Sequence, residues 1–306
     1  MASLATAMNY IDHKLDPVWL MGSSAFAFRI YINETFCLSA MSIFSWDKIL
    51  PEAVEQYGRT CRYISRMWHE EDVEIKRRQE AHKAIVEAID NNTPAIVWDI
   101  KDAEWGLIVG YDDQHKKYDT MTYKGMFSYL DYEKLGRNGI NILSVTIPGD
   151  ANSRDKNEAI RNSLKAAVAH AEQQEWNDRP EYQDGLPAYD LWAMLFERWA
   201  MLTEAGKAEN LPKNITFFAK YYAGHYYSAR CYARDYLNTI KGDDSNLNNA
   251  FESYKKVALL LQPVWDNFAG KPDLSAEKLR SLSATIKSAK EFEEAGIGYI
   301  KEWLRE

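Results

Sequence analysis

The sequence of 306 residues predicts an α+β domain with a small antiparallel sheet, followed by an all-helical domain. Three observations predict this class. Between Ala95 and Ile147, short β-favouring runs alternate with short polar links. A polar breaker stretch, PGDANSRDKNE (148–158), then interrupts the chain. Beyond it, five segments repeat their apolar residues at helical spacing and strand signals cease. The expected domains are therefore about 1–150 and 155–306.

The elements follow in order. DVEIKRRQEAHKAIVEAIDNN places Val73, Ala81, Ala84, Ile85, Ala88 and Ile89 on a helical period, and Asn91-Asn92 with Thr93-Pro94 end it. AIVWDI (95–100), WGLIVGY (105–111), YDTMTY (118–123) and INILSVTI (140–147) read as four strands. Their short links make them antiparallel neighbours, because a parallel pair needs a long crossover. DDQHKK has the length of a hairpin loop. In the second domain, EAIRNSLKAAVAHAEQQEW is the first helix and PAYDLWAMLFERWAMLTEAG the second, with Gly206 as C-cap. The third lies between Pro212 and Gly242, and the fourth is expected to stop at Pro263. The fifth starts at the N-cap Ser275 and carries Leu279, Leu282, Ile286 and Phe292 along one stripe.

Composition narrows the function. Hydrophobic content of 46% and charged content of 27% suit a folded globular chain. A formal net charge of −8 argues against a nucleic-acid partner, which requires a basic face. Cys37, Cys61 and Cys231 form no C-x-x-C pair, so no zinc knuckle is expected, and an odd count fits a reducing, cytoplasmic setting. The N-terminus has no basic segment ahead of an apolar run, so a secretory signal is not expected. The longest apolar run falls well short of the ~20 residues that span a bilayer, so no membrane partner is expected. No cofactor and no metal are expected.

Three patches carry a resemblance. LMGSSAFAFR (20–29) resembles an L-M-G-x-S-G-x-A-F-R signature, with Ala25 in place of the second glycine. EWGLIVGYDD (104–113) resembles an H-x-x-x-x-x-G-Y-D strand, and GLPAYDLWAMLFE (185–197) a G-x-x-A-Y-x-x-W segment. In order and spacing the chain is similar to papain-like cysteine peptidases. The branch is that of the double-glycine leader peptidases and butirosin biosynthesis protein H acyltransferases. The resemblance implies a papain-like first domain. That chemistry needs a cysteine at a helix N-terminus, a histidine on a strand and an orienting carboxylate on the next strand. Near Ala2 and Ser3 there is no cysteine, the histidine position is Glu104, and the orienting position is Asp119. The resemblance thus implies the fold and argues against peptidase chemistry.

The residues leave alternatives open. Ser3, Glu104 and Asp119 are the catalytic candidates. Glu104 and Asp119 would form an acid/base pair, or two ligands of a cation site, if they converged, though two carboxylates fall short of the three or four ligands a metal needs. Ser23 and Ser24 either cap a helix beginning near Ala25 or act as a nucleophile, and Ser24 is also a candidate ligand contact. Arg29 either pairs with a buried carboxylate such as Asp99 or Glu104, or holds a ligand carboxylate or phosphate. Trp98, Trp105, Tyr189, Trp192 and His225 would wall a cleft between the domains that binds a small molecule or peptide. Two other readings are an acyltransferase or amide hydrolase using Ser3, and a homodimer joined through the tyrosine-rich helix containing Tyr221, Tyr222, Tyr226, Tyr227, Tyr232 and Tyr236.

Overall fold

A computed structural model describes residues 1–101, 103–175 and 181–306. The first elements are α1 (Ala2–Asp12), α2 (Pro17–Ser23), β1 (Tyr31–Asn33), α3 (Trp46–Tyr57), β2 (Arg59–Arg66) and α4 (Glu74–Asp90). Four strands follow, β3 (Ala95–Lys101), β4 (Glu104–Asp112), β5 (Lys117–Thr122) and β6 (Phe127–Asp131), and then β7 (Leu143–Ala151). The remainder is α5 (Lys156–Ala171), β8 (Tyr182–Asp184), α6 (Gly185–Glu204), α7 (Ile215–Ile240), α8 (Ser245–Ala269) and α9 (Ala276–Arg305). The chain is a mixed α and β protein with an antiparallel sheet and a C-terminal helical region.

It divides into two compact units, Met1–Leu20 with Ser45–Asp155, and Met21–Phe44 with Lys156–Glu306. The sequence reading kept 21–44 with the sheet; in the structure this segment belongs to the helices. Most of its polar groups are satisfied there, as shown below, the Ser23 and Tyr31 hydroxyls being buried exceptions among the described residues.

In the first unit, six strands run in the order β2-β7-β3-β4-β5-β6, every neighbouring pair antiparallel. Helix α4 lays Ala81, Ala84, Ile85 and Ala88 on one face, against Ile64, Val97, Ile108, Tyr118 and Val145. Small residues on the helix side let the β-branched strand residues approach closely. Helix α4 ends at Asn91, and Asn92 turns the chain at φ 55, a conformation asparagine tolerates. Two strands were not expected, β2 and β6. The expected strand at 140–147 begins only at Leu143. Residues 136–141 instead form a loop held by Arg66, which donates to the carbonyls of Gly136 (2.8 Å) and Asn141 (2.7 Å).

The second unit contains all five expected helices. Ser275 caps α9, its hydroxyl accepting from Lys278 N–H. Pro263 does not end α8, which continues to Ala269. The hydrogen bond that proline cannot make falls at Leu259, on the exposed side of the helix, while Val264 and Phe268 stay buried beyond it. A short strand that was not expected, β8, pairs with β1 in the register Tyr31 opposite Asp184. Among the described residues no helix is long and apolar enough to cross a membrane.

Candidate functional site

Helix α1 buries Ser3, Leu4, Ala7 and Met8 and packs against β3 and β4. The Ser3 hydroxyl donates to the Trp105 carbonyl at 2.9 Å. Its proton is thus committed to backbone, which suits a positioning role and not a nucleophile. Glu104 starts β4, and burial pushes its carboxyl above the usual range. Asp119 is exposed in mid-β5, directly opposite Gly110, whose missing side chain leaves room for the carboxylate. The register puts Glu104 and Asp119 five residues apart along the ladder, roughly 16 Å, so the expected acid/base pair does not form. Trp98 and Trp105 pack on each other and on Trp46, with ring centroids 4.9–5.1 Å apart. At that spacing the indoles fill the volume between them and form a plug, not ligand walls.

The Gly-Ser-Ser run closes on itself. Ser24 Oγ donates to Met21 O at 3.3 Å and accepts from Phe26 N–H at 3.5 Å, and a single 3₁₀ turn over Phe26–Phe28, with Ala25 at its N-cap, stands in place of the expected helix. Ala25 enters that turn at φ 58. Ser23 Oγ is buried and, among the described residues, has no hydrogen-bond partner. Gly22 is required, because a side chain there would begin 2.0 Å from the Tyr236 ring. Ala25→Gly is expected to raise stability by about 1 kcal/mol, measured by urea unfolding, because glycine removes the Cβ clash of a left-handed residue. A loss of stability would show that Ala25 is not strained.

Arg29 is also spoken for, and its partner is neither Asp99 nor Glu104. It donates from Nε and a terminal nitrogen to both oxygens of Glu175, at 2.8 and 2.5 Å, and from the other nitrogen to Ser24 O at 2.6 Å. Asp99 meanwhile accepts from the N–H groups of Gly139 and Ile140. Glu175 in turn lies 3.2 Å from His170 Nδ1. With the proton on Nδ1, the buried ring donates to Glu175, while Nε2 accepts from Ile30 N–H at 2.9 Å and Gly185 N–H at 3.3 Å. Burial alone would raise the Glu175 carboxyl, but attraction to Arg29 and the hydrogen bonds from Arg29 and His170 hold it well below the usual carboxylate range.

Helix α7 completes the clamp. Residues four apart share a helix face and step about 6 Å along it. Tyr222, Tyr226 and Arg230 use that face to reach the irregular segment: Tyr222 donates to Cys37 O, Tyr226 to Tyr31 O, and Arg230 to Arg29 O and Ala27 O. Tyr236 bonds Ser163. Three of the six tyrosines expected on a dimer face are therefore in the core, and among the six Tyr221 is exposed. Tyr189 and Trp192, expected as cleft walls, are fully buried. Tyr189 donates to Glu293, which also pairs with Arg230. His225 sits exposed on α7 with its ring edge against Tyr226.

The first unit does hold an open groove of about 890 Å³, a size that suits a small molecule. Its floor is apolar, from Ala84 and Ala88 of α4 and Ile147 and Pro148 of β7. Its rim is polar, from Arg59, Arg62, Glu87 and Asn91. Arg59 is fixed by Asp12 and by Gly149 O at 2.7 Å, whereas the Arg62–Glu87 pair is exposed and exchanges readily for a ligand group. Cys61 also lines the groove, but burial, with Glu55 nearby, pushes its thiol up to about 12, leaving no thiolate for chemistry. None of these groove residues is a ligand-site candidate in the sequence, where Ala84, Ala88, Asn91 and Cys61 mark only a helix face, a helix end and a lone cysteine. Their only signal is the run of arginines in RTCRYISR, which reads as surface until the strand is known.

No family model matches the chain, and no curated protein matches it in sequence.

Proposed function

We propose that the chain is a papain-like relative of the double-glycine leader peptidases and butirosin-type acyltransferases that binds a small molecule or peptide without cleaving it. The observation that carries the binding reading is the groove beside β2 and α4, with an apolar floor and an exchangeable arginine at its rim. Two features support the kinship. The two glycine positions of the signature fall at Gly22, where no side chain fits, and at Ala25, where φ is positive. The positions assigned to thiol and imidazole carry Ala2 or Ser3, whose hydroxyl donates to backbone, and Glu104, so neither group of that cysteine–histidine chemistry stands there.

A thermal-shift screen of metabolites and short peptides tests the reading. A ligand at ~100 times its Kd stabilises by about 2.7 kcal/mol, enough for a clear rise in Tm. At least one compound class is expected to raise Tm, and Arg62→Trp, which fills the groove from an exposed position, is expected to abolish that rise. A screen without hits, or a rise that persists in Arg62→Trp, rejects the groove as the site.

A further inference from the structure

A different part of the sheet carries a second surface, independent of the groove. Strand β6 is the outermost strand next to β5, so every second N–H and C=O along its outer side lacks a strand partner. Such an edge templates pairing unless it is short, charged or covered. Here it presents Phe127 at 76% exposure and Tyr129 at 71%, on the same face of the sheet. Met126 and Tyr123 in the adjoining turn are exposed as well. The burial pattern explains the asymmetry: Leu130 points into the core under α4, while its neighbours on either side face solvent.

On the β5–β6 part of that face the carboxylates Asp119 and Asp131 outnumber the cation Lys117, which stands opposite Asp131. Asp119 lies directly opposite Tyr129, exposed, and among the described residues it has no cationic partner. Asp131 continues the same face, and its contact with Lys117 is long, at 3.9 Å, and solvated. A second copy of the chain is a poor occupant. The exposed aromatic area, roughly 400 Å², is about half of what each partner contributes to a stable dimer.

We propose that the outer edge of β6 receives an extended, arginine-bearing peptide segment as an added strand, its arginines lying over Tyr129 and Phe127 toward Asp119. Main-chain hydrogen bonds supply strand addition, and alternate side chains read the face. Arginine is the cation that fits, because its planar group stacks on a phenol ring and still pairs with a carboxylate.

Anisotropy titration of the full chain with a fluorescein-labelled peptide of alternating arginine and valine tests this, beside a peptide of the same composition with the two residues in blocks. Saturable binding by the alternating peptide is expected, weakened about tenfold by Phe127→Ser with Tyr129→Ser and about fivefold by Asp119→Asn. All three positions are solvent-facing, and unchanged melting curves will report intact folding. Amide shifts on peptide addition should concentrate in β5 and β6. Equal binding of the blocked peptide, insensitivity to the three substitutions, or loss of binding in Arg62→Trp instead would overturn the proposal. So would a dimer in sedimentation that the serine variants dissociate.

Discussion

Arg230→Ala is expected to cost about 3–5 kcal/mol of folding stability, the usual range for orphaning one member of a buried ion pair. The guanidinium is fully buried and uses Nε and one terminal nitrogen on Glu293, at 2.8 and 2.7 Å, and the other nitrogen on Arg29 O at 2.9 Å. Truncation leaves Glu293 charged in the core and two carbonyls of the 21–44 segment without a donor. Urea unfolding measures the loss. The companion variant Arg230→Met with Glu293→Leu should recover most of it, because removing both charges also removes both desolvation costs. A single variant that loses less than about 1 kcal/mol would contradict the pair's burial.

The second large effect concerns Arg29 and Glu175. Glu175 has a folded-state pKa depressed below its unfolded value of about 4.3. A depressed carboxylate contributes stability that is fully present above the unfolded value and is lost as pH falls through the folded one. Stability should therefore hold steady above about pH 5 and decline below about pH 4 in part through this group. Glu175→Gln should flatten that acid limb. Arg29→Met should cost about 3–5 kcal/mol at neutral pH and reverse the slope, because burial then dominates and the carboxyl gains by taking up a proton. Equilibrium unfolding between pH 2.5 and 8 distinguishes the three chains; parallel curves for all of them would refute the coupling.

How much of this was legible in the sequence depends on which side chains announce their environment. Helices with an apolar stripe were readable because burial and period coincide, as along Ala81, Ala84, Ile85 and Ala88. Strand β2 was not, because RTCRYISR hides a buried arginine, Arg66, that serves a loop and not solvent. Strand β6 was not, because one residue, Leu130, faces the core. On α9 the expected stripe member Phe292 is half-buried, and the next buried position is Glu293. A carboxylate there makes sense only once Arg230, 63 residues away, is seen beside it. Arg29 raised the right question, since a cation among apolar residues needs a partner. Its partner lies 146 residues away in sequence, a distance that no local pattern encodes. The candidate site shows the same limit. Ser3, Glu104 and Asp119 were named by resemblance, yet the ladder register separates the two acids. The groove comes from backbone packing around residues of unremarkable type.

The assignment of Met21–Phe44 to the helical unit sets a timetable for synthesis. Arg230 follows Ala27, whose carbonyl it caps, by 203 residues. At ~5–20 residues per second, the apolar run at 20–32 waits roughly 10–40 s on the ribosome before its clamp emerges. The sheet unit, complete by Asp155, can form meanwhile. A nascent chain of this protein therefore carries an unpartnered apolar segment through most of its translation, and that segment is where a chaperone holding the unfinished chain should bind.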